Sequence, residues 1–258
     1  MSTRLPTAPG PLVTELAVDA PVAFSIAGLT AAFAARGVPL RETDTLTEGQ
    51  SVFIRSIRGG GELRVDSRPS RIAPDRLVKP LADASKWWPA ADALALHRAT
   101  VVVSAQSDVV PSPSLAQFHA QATAAVIDVA IANGATVRGV FWNGERLYPA
   151  EFVQTHAASN PALGLLVGFH VPAPNPETSV YTTGLSVLGL KNIEADAISD
   201  VNTAASMVQS MALYLLRHGN TISDGHTVGY APTQHILIRE AEASWGGERV
   251  LRLALEEP

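Results

Sequence analysis

The chain has 258 residues, of which 47% are hydrophobic and 17% charged, a composition that indicates a folded protein and argues against disorder. Nineteen basic and twenty-four acidic residues give a net charge of −5, which argues against a nucleic-acid-binding protein because such proteins carry a basic face. There is no cysteine, so disulfides, a thiol nucleophile and a zinc site with cysteine ligands are excluded.

The first residues show no targeting segment. Residues 1–11 contain one arginine and two Pro-rich clusters but no apolar core of a signal peptide, and we interpret them as a loose tail. The apolar stretch 21–35 is too short to span a bilayer, and its spacing predicts a helix over 20–35 capped by Asp19. We therefore expect a cytoplasmic protein without membrane association.

The rest of the first half alternates between extended and helical patterns. Three extended pieces at 38–45, 50–57 and 62–68 predict an antiparallel meander, with the glycines at 59–61 as a turn. Residues 69–84 are polar and rich in proline, which predicts an irregular segment. The elements predicted after it are a helix opened by Pro89, a buried strand at 99–105, a helix over 114–133 capped by Ser114, and a strand at 137–142.

The second half has one candidate boundary. A short helix is predicted at 149–156 and an apolar strand at 163–171, after which residues 172–176 hold three prolines that no regular element tolerates. The elements predicted beyond this boundary are a strand at 179–188, a helix at 200–218, an Asp224-Gly225 hairpin turn, and strands at 234–242 and 249–255. This mixed order predicts an α+β fold, with helices packed on a mixed, largely antiparallel sheet. We expect residues 12–258 to form one compact unit.

Sequence motifs for cofactor chemistry are missing. The glycines at 59–61 lie between strands, and no Walker or dinucleotide motif occurs. The stretch 184–188 resembles a nucleophile elbow but lacks its second glycine. None of the seven histidines is spaced as a helical metal pair. We therefore expect no metal, nucleotide or other cofactor.

Two segments carry less common residues. Trp87 and Trp88 precede a helix that contains His97; they can form a stacking shelf for a ligand or partner, or a hydrophobic staple that fixes the start of the helix. Asp224 and His226 flank Gly225; they can act as acid and base, or form a hairpin turn in which Asp-Gly supplies the backbone geometry.

Several motifs together resemble a bacterial family known as domain of unknown function 4261. They are Y-T-x-G-L from Tyr181, L-G-L at 188–190, an A-Y-L-like helix core at 212–216, and D-G-x-T-[IV]-G from Asp224. The resemblance is best over 179–238. A looser likeness over 87–150 includes W-P-x-A and A-x-H-x-A patterns. Positions that match the family pattern are Trp88, His97, Tyr181, Thr183, Asp224 and Gly229. The resemblance implies a bacterial cytoplasmic α+β protein and implies no activity.

Two functions of different classes follow from these observations. The first is a non-catalytic binding or accessory protein, for example an immunity-type or secretion-associated partner, that presents a surface to another protein. Its candidate surface residues are Trp87, Trp88, His97, Tyr181, Asp224 and His226. The second is an enzyme, such as a hydrolase that uses His97 or His226 with a carboxylate. The lack of a catalytic motif favours the first, and the sequence gives no indication of the oligomeric state.

Overall fold

The structure, a computed structural model, describes residues 11–38, 51–55, 61–83, 87, 89–107, 112–171, 180–195, 201–231 and 234–255. The chain divides into two compact units, Met1–Leu165 and Leu166–Pro258, which we call the N-terminal and C-terminal units. Residues 1–10 of the predicted tail 1–11, and the proline-rich boundary at 172–176, lie outside the described residues. The expectation that residues 12–258 unfold as one unit stays a prediction.

The N-terminal unit is built on a six-stranded antiparallel sheet. Its elements are β1 (Leu12–Val18), α1 (Ile26–Ala35), β2 (Ser51–Arg55), β3 (Gly61–Arg68), α2 (Pro74–Asp83), α3 (Ala90–Ala95), β4 (Ala99–Ser107), α4 (Pro113–Ala132), β5 (Val137–Trp142), β6 (Arg146–Tyr148), α5 (Ala150–His156) and α6 (Leu163–Leu166). The strand order is β2-β3-β4-β1-β5-β6. Helices α1, α4 and α5 cover one face of this sheet, and α2 and α3 pack on the other.

Helix α4 is the core helix of this unit. Ser112 accepts the Leu115 N–H at 3.2 Å and Pro113 occupies the first turn, so the helix is capped two residues earlier than the predicted Ser114 cap. The helix is long and apolar enough to cross a membrane, but 67% of this stretch is buried inside the protein. A core helix has this property, and the predicted absence of a membrane association stays a prediction.

The C-terminal unit has one long helix on a second sheet. Its elements are β7 (Gly168–His170), β8 (Val180–Thr183), a 3₁₀ turn (Ser186–Leu188), β9 (Ile193–Ala195), α7 (Val201–His218), β10 (Thr227–Ala231), β11 (Gln234–Glu242) and β12 (Arg249–Leu255). The strand order is β10-β11-β12-β9-β8-β7, with β9 and β12 parallel and the other pairs antiparallel. Helices on mixed and antiparallel sheets confirm the α+β class.

The start of the chain differs from the sequence-based expectation. Helix α1 begins at Ile26 and is capped by Ser25, whose side chain accepts the Gly28 N–H. Asp19 instead accepts the Thr136 N–H at 2.8 Å, so its role as helix cap was wrong. The preceding strand β1 lies at the centre of the sheet, although its sequence contains the charged residue Glu15.

Two further element predictions were wrong. Residues 74–83 form helix α2 rather than an irregular segment, because Pro74 starts the helix at a position that tolerates proline, while Pro80 is accommodated inside it. The predicted strand over 163–171 is divided into helix α6 and the three-residue strand β7. Short apolar runs such as this one fit a buried helix as well as a strand.

Candidate functional site

A single row of side chains crosses the sheet of the C-terminal unit. The pairing places His170 opposite Tyr181, Tyr181 opposite Glu194, Glu194 beside Arg252, and Arg252 opposite Arg239. Residues directly paired between neighbouring strands point to the same face of a sheet. These five residues, which we call the cross-strand row, therefore lie side by side on one face, spanning strands β7, β8, β9, β12 and β11.

The opposite face of the same sheet is the hydrophobic one. Side chains alternate along a strand, so Val180, Ile193 and Leu251 point away from the cross-strand row. All three are fully buried, and α7 packs on β8 and β9. One face of the sheet therefore packs into the hydrophobic core, and the other carries polar and aromatic side chains.

Three aromatic rings are in contact at one end of the cross-strand row. The His170 and Tyr181 rings lie 4.6 Å apart and nearly parallel at 8°, and the Tyr181 and Trp245 rings lie 4.2 Å apart at 31°. The His170 Nε2 atom is 3.0 Å from the Thr183 hydroxyl. Trp245 is 39% exposed, which is unusual for so large an apolar side chain. We call His170, Tyr181 and Trp245 the aromatic cluster.

Polar contacts fix the turn that carries Trp245. Its indole Nε1 donates to the Glu248 carboxylate at 3.2 Å, and Asn192 donates to the same carboxylate at 3.0 Å. The Ser244 N–H donates to the Glu194 carboxylate at 3.2 Å, which ties the turn between β11 and β12 to β9. Trp245 is therefore held in place while part of its ring faces solvent.

Charged residues occupy the other end of the cross-strand row. Glu194 is completely buried and accepts from the Arg252 guanidinium at 3.0 Å. Arg252 also donates to the Glu242 carbonyl at 3.0 Å. Arg239 faces Arg252 directly across β11 and β12 and is exposed. The Arg252 guanidinium is thus engaged by Glu194, and the Arg239 guanidinium is exposed at the end of the row away from the aromatic rings.

The predicted site residues of the N-terminal unit have packing partners. Trp87 packs against a core cluster that includes Leu94 and Phe141, and a Cβ atom added at Gly139 would lie 2.7 Å from its ring. His97 is 4% exposed, accepts the Ile72 N–H on Nε2 at 3.0 Å, and bonds the Leu94 carbonyl through Nδ1. Trp88 lies outside the described residues.

Asp224 and His226 lie at the β10 edge of the second sheet. The Asp224 carboxylate accepts the Glu240 N–H at 2.7 Å, while the His226 ring accepts the Ser223 N–H at 3.3 Å. Asp224 and Gly225 form the predicted turn, closed by the His226 N–H donating to the Ser223 carbonyl at 3.2 Å. The two-residue hairpin predicted around it is wrong, because strand β10 follows this turn and pairs with β11. Gly225 has a positive φ of 79°, whereas Asn143 is the one non-glycine residue with positive φ in the described ranges.

Tyr181 is the single predicted site residue that belongs to the cross-strand row. β10 and β8 are four strand positions apart, roughly 19 Å, so the sheet separates Asp224 and His226 from the aromatic cluster. Sequence reasoning missed His170, Trp245 and the two arginines. Trp245 lies in a Trp-Gly-Gly segment, whose sequence indicates only a loop. That this loop lies beside Tyr181 and His170 follows from the strand register and not from the local sequence.

One histidine of the N-terminal unit has a shifted pKa. Burial lowers the pKa of His119 to about 4, opposed by the hydrogen bond between its Nε2 atom and the Val103 carbonyl. His119 lies against the fully buried Trp142, with ring centres 5.2 Å apart. In the described part of the chain, no group of three or more His, Asp or Glu side chains is placed to hold a metal.

One segment of the chain matches a known protein family. Residues 181–254 match the family model of DUF4261, a domain of unknown function, which confirms the resemblance seen in the C-terminal third of the sequence. The match contains Tyr181, Trp245 and both arginines of the cross-strand row. No curated protein and no solved structure matches the chain.

Proposed function

We propose that this chain is a non-catalytic binding protein and that the aromatic cluster is its contact surface for another protein. The observation that carries this proposal is the contact of Trp245 with Tyr181, in which a partly exposed indole is held by the hydrogen bond from its Nε1 to Glu248. Aromatic side chains held rigid at a surface supply large contact area at little cost in conformational entropy, and they dominate binding energy in many interfaces.

The charge arrangement also supports binding. The buried Glu194 neutralises Arg252, so the centre of the cross-strand row is an ion pair already engaged within the unit. Arg239 at the end of the row is exposed. Interfaces are enriched in aromatic residues and arginine, and both occur here on one face.

The enzymatic alternative has less support. His97 uses both ring nitrogens for contacts with backbone groups, and His226 accepts a backbone N–H. A general base needs a nitrogen free to take a proton from a substrate, and His97 has none. Among the described residues, His226 keeps Nε2 free, but the neighbouring Asp224 carboxylate is engaged by the Glu240 N–H. We propose the accessory role, in a bacterial cytoplasm and of an immunity or secretion-associated type, ahead of a hydrolase.

The proposal is tested by changing one exposed aromatic residue at a time. Trp245→Ala removes the outer ring of the aromatic cluster. Tyr214→Ala is the matched control, because Tyr214 is 42% exposed on α7 and its ring contacts that of His218, away from the cross-strand row. Tagged full-length proteins are used to capture partners from native-host extract, followed by quantitative mass spectrometry.

We expect a protein captured by the wild type and the Tyr214→Ala variant to be depleted at least tenfold with Trp245→Ala, given the energy of aromatic anchors. Melting temperatures recorded on the same samples separate loss of binding from unfolding. Equal capture by Trp245→Ala, with its fold intact, would contradict the proposed surface.

A further inference from the structure

Two arginines face each other directly on the surface of the C-terminal sheet. Arg239 and Arg252 are register partners in β11 and β12, with side chains on the same face. Like charges in this position destabilise a sheet. Arg252 has its own counter-charge in Glu194, at 3.0 Å. Arg239 forms no ion pair with any residue in the described ranges and is exposed. The charge of Arg239 is therefore uncompensated, and it lies beside the charge of Arg252, which Glu194 neutralises.

This charge lies at a defined distance from the aromatic cluster. Tyr181 is on β8 and Arg239 on β11, three strand positions apart in the order β11-β12-β9-β8. At about 4.8 Å between strands, the two positions are roughly 14 Å apart. An extended peptide advances about 3.3 Å per residue, so a segment lying across the strands covers that distance in about four residues.

We propose that the partner bound by this face is an acidic protein segment, in which an aromatic or large apolar residue contacts the aromatic cluster and an Asp or Glu about four positions away pairs with Arg239. The inference rests on the proposed function and adds the chemistry of its partner. A carboxylate at Arg239 compensates the charge that the fold leaves unpaired, and an arginine binds a carboxylate through two parallel hydrogen bonds. The chain's own net charge of −5 makes this local positive charge distinctive.

The experiment uses the full-length protein and a displayed library of random peptides about 12 residues long. Peptides enriched on the wild type are expected to combine an aromatic or large apolar residue with Asp or Glu about four positions away. One such peptide is then labelled and titrated against Arg239→Gln. The matched control is Arg217→Gln, which changes an exposed arginine in the last turn of α7.

We expect Arg239→Gln to bind the peptide roughly three- to tenfold more weakly at about 50 mM salt, and the difference to shrink at about 0.5 M because salt screens exposed charges. Arg217→Gln should bind like the wild type. Arg239→Gln should also melt about 1–2 °C higher, since the like-charge pair is gone. A purely structural role for Arg239 would leave peptide affinity unchanged.

The outcomes separate this inference from the proposed function. Peptides that require Trp245 but lack an acidic residue, or that bind Arg239→Gln as well as wild type, would overturn the inference alone. Enriched peptides that bind Trp245→Ala equally well would overturn the proposed function and this inference with it. Failure to enrich any peptide, together with self-association abolished by Trp245→Ala, would identify the occupant as a second copy and overturn the acidic-segment inference.

Discussion

Two buried polar side chains in the core of the N-terminal unit, His119 and Thr14, are expected to affect its stability. His119 is fully buried on α4, where only the Nε2 side of its ring bonds the Val103 carbonyl. In the described residues, its Nδ1 atom and the Thr14 hydroxyl are buried without a hydrogen-bond partner. Thr14 is paired with both Val103 and Trp142, so these groups lie in one region of the core.

The stability of the protein should fall in mild acid because of His119. Its pKa is about 4 in the folded protein and about 6.5 in the unfolded chain, so the unfolded chain binds the proton more readily. The effect of His119 on the free energy of unfolding is absent above about pH 6.5 and grows as the pH falls toward 4. At about pH 4, the uneven proton binding lowers the free energy of unfolding by about 3 kcal/mol. Urea unfolding across this pH range measures it. A His119→Gln variant with an equally steep pH profile would show that other groups cause the loss.

Thr14→Val should stabilise the protein by about 1 kcal/mol. The change replaces an unpartnered buried hydroxyl with a methyl group of similar shape, which removes a desolvation cost. The matched control is Thr123→Val, since Thr123 is equally buried but donates to the His119 carbonyl at 2.8 Å. Chemical denaturation of both variants should give opposite signs. Loss of stability with Thr14→Val would mean that its hydroxyl has a bonding partner.

At the scale of elements, the turn before β10 depends on one glycine. Gly225 has φ of +79°, and the Gly225 N–H donates to the Ile238 carbonyl at 2.8 Å. Gly225→Val should destabilise by about 1–3 kcal/mol through backbone strain alone, because no atom lies within 4 Å of the added Cβ position. Gly229→Ala is the control, since the space there is equally open and its φ is not positive. Equal thermal shifts for the two variants would contradict the strain argument.

Sequence patterns predicted the longer elements better than the site. The periodic apolar residues of α4 and α7, and the alternating strands β2 and β3, were placed within a few residues of their observed bounds. Strand β1 went unpredicted because Thr14 and Glu15 interrupt its apolar pattern. Both are buried by contacts that come from distant segments, Glu15 through Arg76 at 2.9 Å. The β-propensity of a residue carries no information about tertiary contacts of this kind.

The cross-strand row could not be predicted for a related reason. His170, Tyr181, Glu194, Arg252 and Arg239 lie on five strands, and their adjacency depends on strand order and register. The parallel pairing of β9 with β12 is the decisive contact, because it joins two parts of the chain separated by α7 and two strands. Local motifs such as Asp224-Gly225 attract notice in a sequence, while long-range pairing leaves no local pattern.

At the scale of the whole molecule, we expect a single unfolding transition for the full chain. The C-terminal unit has one long helix, which covers one face of its sheet, and a unit of this size buries a limited core. Differential scanning calorimetry of the full chain, and of residues 166–258 alone, measures this directly. A sharp independent transition for the isolated segment would show that the chain contains two domains.

The position of β12 affects how the protein is made on the ribosome. β12 follows β11 in the chain, yet it lies inside the sheet, between β11 and β9. Until Arg249–Leu255 has emerged, β7, β8 and β9 cannot join β10 and β11, and the hydrophobic face of the sheet lacks Leu251 and Leu253. The nascent C-terminal unit thus presents two separate strand edges, which other chains can pair with. Chaperones that bind exposed apolar strands are therefore expected to act on this unit until β12 is in place.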